Sequence, residues 1–553
     1  MASEGRGAGT DRHHCPYDAP FMRRVLGLAV VAALATACAS TTAGDSALVG
    51  TRPPGAPATG STGPTTTASR TAPPPITADP TTAVPTGRAS TTAAAGVVPI
   101  VTWQSCGTGL ECATLTVPKD YDDPTKGTLD LFLKRHPAAK RASRIGSLLV
   151  NPGGPGAPTT SYMIDNVDGY FGSRLTDRFD IVGWDPRGTG KSGQIVCVDS
   201  LDPYFALDLS PDDATEKRQV VDAAASFDAQ CAARNPGLLP YVSTEATARD
   251  MDSIRRALGE PKISYFGFSY GSALGAVWAT LFPDTVRAMV IDSAIDPNAG
   301  AAAQTRQTAV GTERALTNML TACAKNRSCA LYNGGDPGAL FDKVMADLDR
   351  TPLRVADAPG SPLVNQGVAF WAIADGLDNE QFWPALTSAL AQAAKGNGRG
   401  LLDLYTDYLT VNGDYPHLFE SLLAINCLDD PEPVDQAAFD RLDAEIRQLA
   451  PRLGALELNP PFCRSWPVRG KPPVKVTGKG AGPVVVVGST GDPVTPIESS
   501  SAMARALEGG VLVTAQANQH IGYQTSTCVN DAVENYLVGL KVPPAGLICA
   551  ATS

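Results

Sequence analysis

The sequence predicts an α/β fold: a mostly parallel central sheet covered by helices on both faces, with a helical cap inserted between two of its strands. Three observations predict it. Six short apolar runs rich in β-branched residues occupy 147–151, 179–184, 263–268, 288–292, 483–488 and 511–514. Helical patterns, such as 246–258 and 272–279, fall between them. The stretch 298–466 instead carries helix-like segments at 304–325, 337–349, 380–394, 401–409 and 433–449, with few strand-like runs. Continuous apolar runs suit strands buried on both faces, and parallel strands need crossovers that are usually helical. Ligands in such sheets gather beyond the carboxyl ends of the strands.

The 553 residues, 43% hydrophobic and 18% charged, suffice for a large core and more than one domain. The expected organisation is an N-terminal extension and leader over 1–38, a linker over 39–95, and a first core part over 96–297. The cap over 298–466 and a second core part over 467–553 complete it. A net charge of −11 argues against nucleic-acid binding through a basic surface. It bears on solubility more than on substrate.

The N-terminus reads as an export signal. Met22-Arg23-Arg24 opens a basic stretch, an apolar run covers 25–35, and Ala35-Thr36-Ala37-Cys38 follows. Basic, apolar and small-residue segments in that order describe a secretory leader. The run is too short to span a bilayer. Cysteine after small residues resembles a bacterial lipobox, so Cys38 is the expected lipidation site, although Ala35 stands where a larger aliphatic residue is usual. The alternative is ordinary cleavage nearby and a free product. Residues 1–21 do not fit ahead of a leader, which makes Met22 the expected start. Residues 39–95 are mostly Thr, Pro, Ala, Ser and Gly. Such a composition buries too little apolar surface to offset ordering entropy and reads as a disordered tether.

Of the 12 cysteines, Cys15 and Cys38 are N-terminal and the other ten fall into near neighbours. Sequential pairing joins Cys106 to Cys112, Cys197 to Cys231, Cys323 to Cys329, Cys427 to Cys463 and Cys528 to Cys549; spacing alone leaves the connectivity open. Disulfides persist outside the cytoplasm, consistent with an exported protein in the cell envelope or beyond it. No CxxC pair or Cys/His cluster has zinc-ligand spacing, so no metal or other cofactor is expected.

Chemistry concentrates at Gly267-Phe268-Ser269-Tyr270-Gly271, a G-x-S-x-G string after an apolar run and before Ser272-Ala273-Leu274-Gly275. A nucleophile on a sharp strand-to-helix turn needs small neighbours, because backbone and helix approach closely there. Serine also needs a base. His13 and His14 precede the leader's end, His136 precedes Ser269, and His417 lies in the cap. His520 alone follows an acid-bearing strand end near the C-terminus, giving the order serine, acid, histidine of the α/β-hydrolase fold. The acid is Asp492, in Gly491-Asp492-Pro493-Val494-Thr495-Pro496 just beyond the run 483–488, with Asp292 and Asp296 as alternatives. It would fix the imidazole tautomer and stabilise the imidazolium. Oxyanion donors are expected from the N–H of Tyr270 and from the loop Asn151-Pro152-Gly153-Gly154-Pro155-Gly156.

These motifs, with Trp184-Asp185-Pro186-Arg187-Gly188-Thr189-Gly190-Lys191-Ser192, resemble the prolyl and tripeptidyl aminopeptidase branch of the α/β-hydrolases. The resemblance runs from about Val97 to the C-terminus and is nearest to secreted actinobacterial tripeptidyl aminopeptidases and related lipoprotein serine proteases. It implies Gly154 and Tyr270 as the oxyanion hole, Arg187 as an internally paired residue, and a cap that shapes the substrate site. The sequence departs from the family at Gln519 and Ile521 beside His520, and at Ser293, where glycine is usual. A free α-amino group calls for carboxylates near the nucleophile, for which Asp378, Glu380, Glu420 and Asp429 are candidates, each also readable as a solvated charge. The expected function is release of short peptides or single residues from free N-termini through an acyl-enzyme, with a peptide as substrate, no nucleic acid as partner, and the membrane met only through a lipid anchor. An esterase or lipase acting on envelope acyl esters, or a non-catalytic binding lipoprotein, are the alternatives.

Overall fold

The computed structural model describes residues 100–410, 415–430, 435–457 and 462–550. The expected leader, Cys38 and the linker 39–95 lie outside the described residues.

Twelve strands are described. They are β1 (Gln104–Gly107), β2 (Leu110–Pro118), β3 (Thr128–His136), β4 (Gly146–Asn151), β5 (Phe179–Trp184), β6 (Ile263–Phe268), β7 (Val286–Asp292), β8 (Leu353–Arg354), β9 (Leu363–Val364), β10 (Val484–Ser489), β11 (Gly510–Gln516) and β12 (Leu547–Ala550). Ten form one sheet in the order β1-β2-β3-β5-β4-β6-β7-β10-β11-β12, and β8 pairs with β9 apart from it. From β5 to β12 every pairing is parallel, whereas β1, β2 and β3 add antiparallel strands at one edge. All six apolar runs of the sequence form strands of the parallel portion.

Side-chain alternation shows why those runs are unbroken. Leu149, Tyr265, Met289, Ile291, Val484 and Val486 belong to one buried cluster, on the face covered by the helices Thr244–Ala257, Tyr270–Leu281 and Ile497–Ala506. Their neighbours Leu148, Val150, Phe266, Ala288, Val290, Val485 and Val487 belong to a second cluster, with Val529, Val533 and Leu537 of helix Thr527–Gly539. Successive residues of a strand point to opposite faces, so a sheet covered twice demands apolar residues at every position. Strand β2 obeys the other rule. Ala113, Leu115 and Val117 are buried while Thr114 and Thr116 are exposed, as for an antiparallel strand wet on one side.

Between β7 and β10 lie the helices Ala301–Lys325, Pro337–Arg350, Gln366–Asp378, Trp383–Ala393, Arg399–Leu409, Leu418–Asp429 and Gln436–Leu449. Gln366–Asp378 and Leu418–Asp429 are additional to the helices expected there. Among the described residues ten cysteines pair in the sequential order expected: Cys106–Cys112, Cys197–Cys231, Cys323–Cys329, Cys427–Cys463 and Cys528–Cys549.

Register sets where the site lies. Phe268 pairs with Asp292 and Asp292 with Val487, so β6, β7 and β10 end side by side. The segments carrying Ser269, Asp492 and His520 leave from the adjacent ends of β6, β10 and β11.

Candidate active site

Ser269 stands between β6 and the helix Tyr270–Leu281 with φ 55° and ψ −123°. A non-glycine residue in that region is strained by about 1–3 kcal/mol. Its N–H donates to the Asp292 carbonyl at 2.9 Å, which helps hold the turn. Both flanking glycines are required sterically. A Cβ on Gly267 would lie 2.4 Å from the Gly271 carbonyl oxygen, and one on Gly271 would lie 2.8 Å from that of Asn151.

Asp492 is fully buried and accepts from His520 Nδ1 at 3.0 and 2.9 Å through its two oxygens. The motif around it explains how a buried carboxylate is kept in place. Oδ1 accepts from the N–H of Val494 at 2.9 Å and of Thr495 at 2.8 Å, and Oδ2 accepts from Thr495 Oγ1 at 3.0 Å. With Nδ1 committed to Asp492, Nε2 is the ring nitrogen left for proton transfer.

Burial disfavours the imidazolium of His520, but Asp492, with Asp378 and Asp292 also close, outweighs it and raises the group to about 9. Asp292, weighed above as an alternative acid, does something else. It is fully buried, and its oxygens accept the N–H of Gly522 at 2.8 Å and of Tyr523 at 2.6 Å. Burial lifts its carboxyl to about 6 despite those donors. Asp292 thus anchors the chain just after His520. Ser293, at φ 52°, adds a third tether, because its Oγ accepts the Ile521 N–H at 2.8 Å. Asp296, the other alternative, accepts from Gln307 Nε2 and from the N–H of Asn298.

The loop after β4 presses on the serine. A Cβ on Gly153 would lie 2.6 Å from the Phe268 carbonyl oxygen, 2.9 Å from Ser269 Cβ and 3.1 Å from Tyr270 N. The Gly153 N–H is committed to Asn151 Oδ1 at 3.0 Å, while among the described residues no acceptor takes the N–H of Gly154 or Tyr270. The Tyr270 hydroxyl is held by Thr244 Oγ1, which also donates to Asp429.

The four carboxylates weighed for amine recognition separate. Glu420 is fully buried and accepts from the N–H of Cys197 at 3.1 Å and pairs with His417 Nδ1 at 2.9 Å, a role in packing. Asp429 accepts from the N–H and hydroxyl of Thr244, and burial raises it to about 6. Glu380 is exposed and accepts from Asn518 Nδ2 at 2.8 Å. Asp378 stands beside His520, and burial raises it to about 6 against the pull of that imidazole. Arg187 is fully buried, donating to both oxygens of Asp250 and to the carbonyls of Lys119 and Tyr241.

Known proteins are similar to this chain in sequence. The family model described as TAP-like protein matches residues 452–549, the segment that contains Asp492 and His520. The serine protease Hip1 of Mycobacterium tuberculosis is 33% identical over 469 residues, covering 80% of this chain and 87% of that protein. The chain belongs to the tripeptidyl aminopeptidase-like α/β-hydrolases. Carboxylesterase B of the same organism is 34% identical, covering 84% of this chain and 92% of its own. The tripeptidyl aminopeptidase of Streptomyces lividans is 30% identical, with 84% and 89% covered. This membership makes the chain a serine hydrolase, and the relatives' names divide between peptidase and esterase.

Sequence reasoning missed the anchoring by Asp292 and Ser293 and the bonds from Thr495. The signal for Thr495 was present: Asp followed by Thr three residues on is a spacing at which the carboxylate meets backbone N–H and hydroxyl together. Nothing in sequence linked Asp292 to a loop 230 residues later.

Proposed function

We propose that this protein is an exported serine aminopeptidase that releases short peptides or single residues from free N-termini. Ser269 attacks the scissile carbonyl and His520 accepts its proton through Nε2. The oxyanion rests on the N–H groups of Gly154 and Tyr270, and His520 then returns the proton to the leaving amine. Asp492 keeps Nδ1 protonated throughout. Water repeats the sequence to release the acyl group. The observation that carries this reading is the fully buried Asp492 carboxylate on His520 Nδ1. The relatives named serine protease and tripeptidyl aminopeptidase favour a peptide as the substrate. Export by the leader, attachment through a lipidated Cys38 and the five disulfides form one consistent picture of a cell-envelope enzyme.

A relative named carboxylesterase B, 34% identical, favours a second reading in which the same groups cleave acyl esters. Free-amine tripeptide anilides, their N-acetylated forms and acyl esters, assayed side by side, separate the two. The peptidase reading predicts fast turnover of the free-amine anilides and loss on acetylation. Turnover of esters alone would reject it, and equal rates on free and acetylated anilides would reject amine recognition.

A further inference from the structure

The inserted helices hold the loop that carries His520. Beyond the helix Gln366–Asp378 the chain turns extended and forms an antiparallel bridge between Asn379 and Gln519. The His520 N–H donates to the Asp378 carbonyl at 2.8 Å, and the Glu380 N–H donates to the Asn518 carbonyl at 3.0 Å. Side chains repeat the link. Asn379 Nδ2 donates to Gln519 Oε1 at 3.2 Å, and Asn518 Nδ2 donates to Glu380 Oε2 at 2.8 Å. From helix Ala301–Lys325, Asn318 Nδ2 donates to Asn518 Oδ1 at 3.0 Å. Residues 518, 519 and 520 are therefore each tied to the insertion.

The next residue shows why such a tie is needed. Ile521 sits at φ 74°, a conformation that a β-branched residue resists. Strained backbone persists only where its surroundings over-determine it. The sheet fixes the C-terminal side, through Ser293 and Asp292 to the N–H groups of residues 521–523. The N-terminal side, with His520 itself, is fixed from the cap. Asn379 is suited to this, being almost fully buried and using its Oδ1 to accept the Gln381 N–H while its amide reaches Gln519.

We infer that the cap segment 378–380 is a positioning element for His520, acting through Asn518 and Gln519, so that the base is aligned only while the cap is seated. The inference rests on His520 being the base. It makes access to the site and alignment of the base one structural event: a cap displaced to admit a substrate releases the imidazole, and a cap reseated over it restores the geometry for proton transfer.

The test measures the rate at which a small alkyl fluorophosphonate, too short to reach the cap, modifies Ser269, alongside kcat and KM for a tripeptide anilide. The variants are Glu380→Ala, Glu380→Gln, Gln519→Ala, and Gln519→Ala combined with Asn379→Ala, each checked by thermal melting for a native fold. Glu380 is exposed, so its replacement spares the core. Small misplacements of reacting groups are expensive in rate, and Glu380→Ala and Gln519→Ala are expected to slow both phosphonylation and kcat about tenfold. KM should stay within about twofold, as for an interaction that acts on kcat rather than on substrate binding. Glu380→Gln, which keeps an oxygen for Asn518, should recover most of the rate. Adding Asn379→Ala to Gln519→Ala should slow the reaction little further, because the amide link between the two is already lost, while the loss of the Asn379 bond from the Gln381 N–H should show in the melting temperature. Folded variants that react at the parent rate overturn the positioning role, as does a rise in KM with unchanged phosphonylation, which would make Glu380 a substrate contact. A parent protein that does not react with the probe overturns the hydrolase reading itself, a result distinct from either.

Discussion

The sheet and the inserted helices both grip the loop around His520, but they do so by different means. The sheet works through register. Once β6, β7, β10 and β11 pair, Ser269, Asp292 and the Asp492 turn occupy fixed positions at neighbouring strand ends. The insertion works through reach, with amides and carboxylates such as Asn379, Glu380 and Glu420 spanning to loops of the core. Position by register needs only apolar runs of the right length, whereas position by reach needs particular side chains. Ser269 and Asp492, beyond the strand ends, should therefore fail in rate when altered, and the buried Glu420 of the insertion in stability.

Ser269→Ala should break the site most severely, lowering kcat by about 10^6 while leaving the melting temperature near that of the parent. Asp492→Asn should follow at about 10^4 in kcat, because the amide no longer selects the tautomer with Nδ1 protonated. Steady-state kinetics with thermal melts check both, and a large loss of stability in either would erase the contrast between the regions.

The pH dependence comes next. His520 is held up to about 9 and must be neutral to act as a base, so kcat/KM should climb by about 50-fold from pH 7 to 9. The same pairing has a signed effect on stability. Its contribution is fully present below the unfolded value of about 6.5 and is lost as pH rises through 9. Urea midpoints of the parent and of His520→Gln should therefore converge at alkaline pH.

How far these features were legible in the sequence follows the same division. Val484–Val487 and Ile263–Phe268 announced buried strands because a doubly covered sheet leaves every position apolar. Ser269, Asp492 and His520 stood out because they follow those strands in a chain order that one fold imposes. Strand β2 was overlooked because its apolar residues alternate with Thr114 and Thr116 instead of running together. Helix Ala214–Arg234 was overlooked despite a capping box of Asp213 and Glu216, a signal that sequence does carry. The ties of Asn379 to Gln519 and of Asp292 to Gly522 join residues 140 and 230 positions apart. No local pattern encodes such a pair, because only the folded topology brings its members together.

Two smaller effects would sharpen the comparison. Glu420→Ala leaves the Cys197 N–H buried without its acceptor and should lower stability by about 2 kcal/mol, with kcat per folded molecule little changed. Ser293→Ala should be more destabilising than Ser293→Gly by about 1 kcal/mol, since both lose the bond to Ile521 but only glycine tolerates φ 52° without strain. Chemical denaturation measures both differences.

The most direct measurement is to label the folded protein with a fluorophosphonate and locate the adduct by peptide mass spectrometry. A single adduct on Ser269, absent from Ser269→Ala and strongly slowed in Asp492→Asn and His520→Ala, is the predicted result. An adduct on another residue, or no adduct on well-folded protein, would contradict the assignment of Ser269 as a nucleophile served by His520 and Asp492.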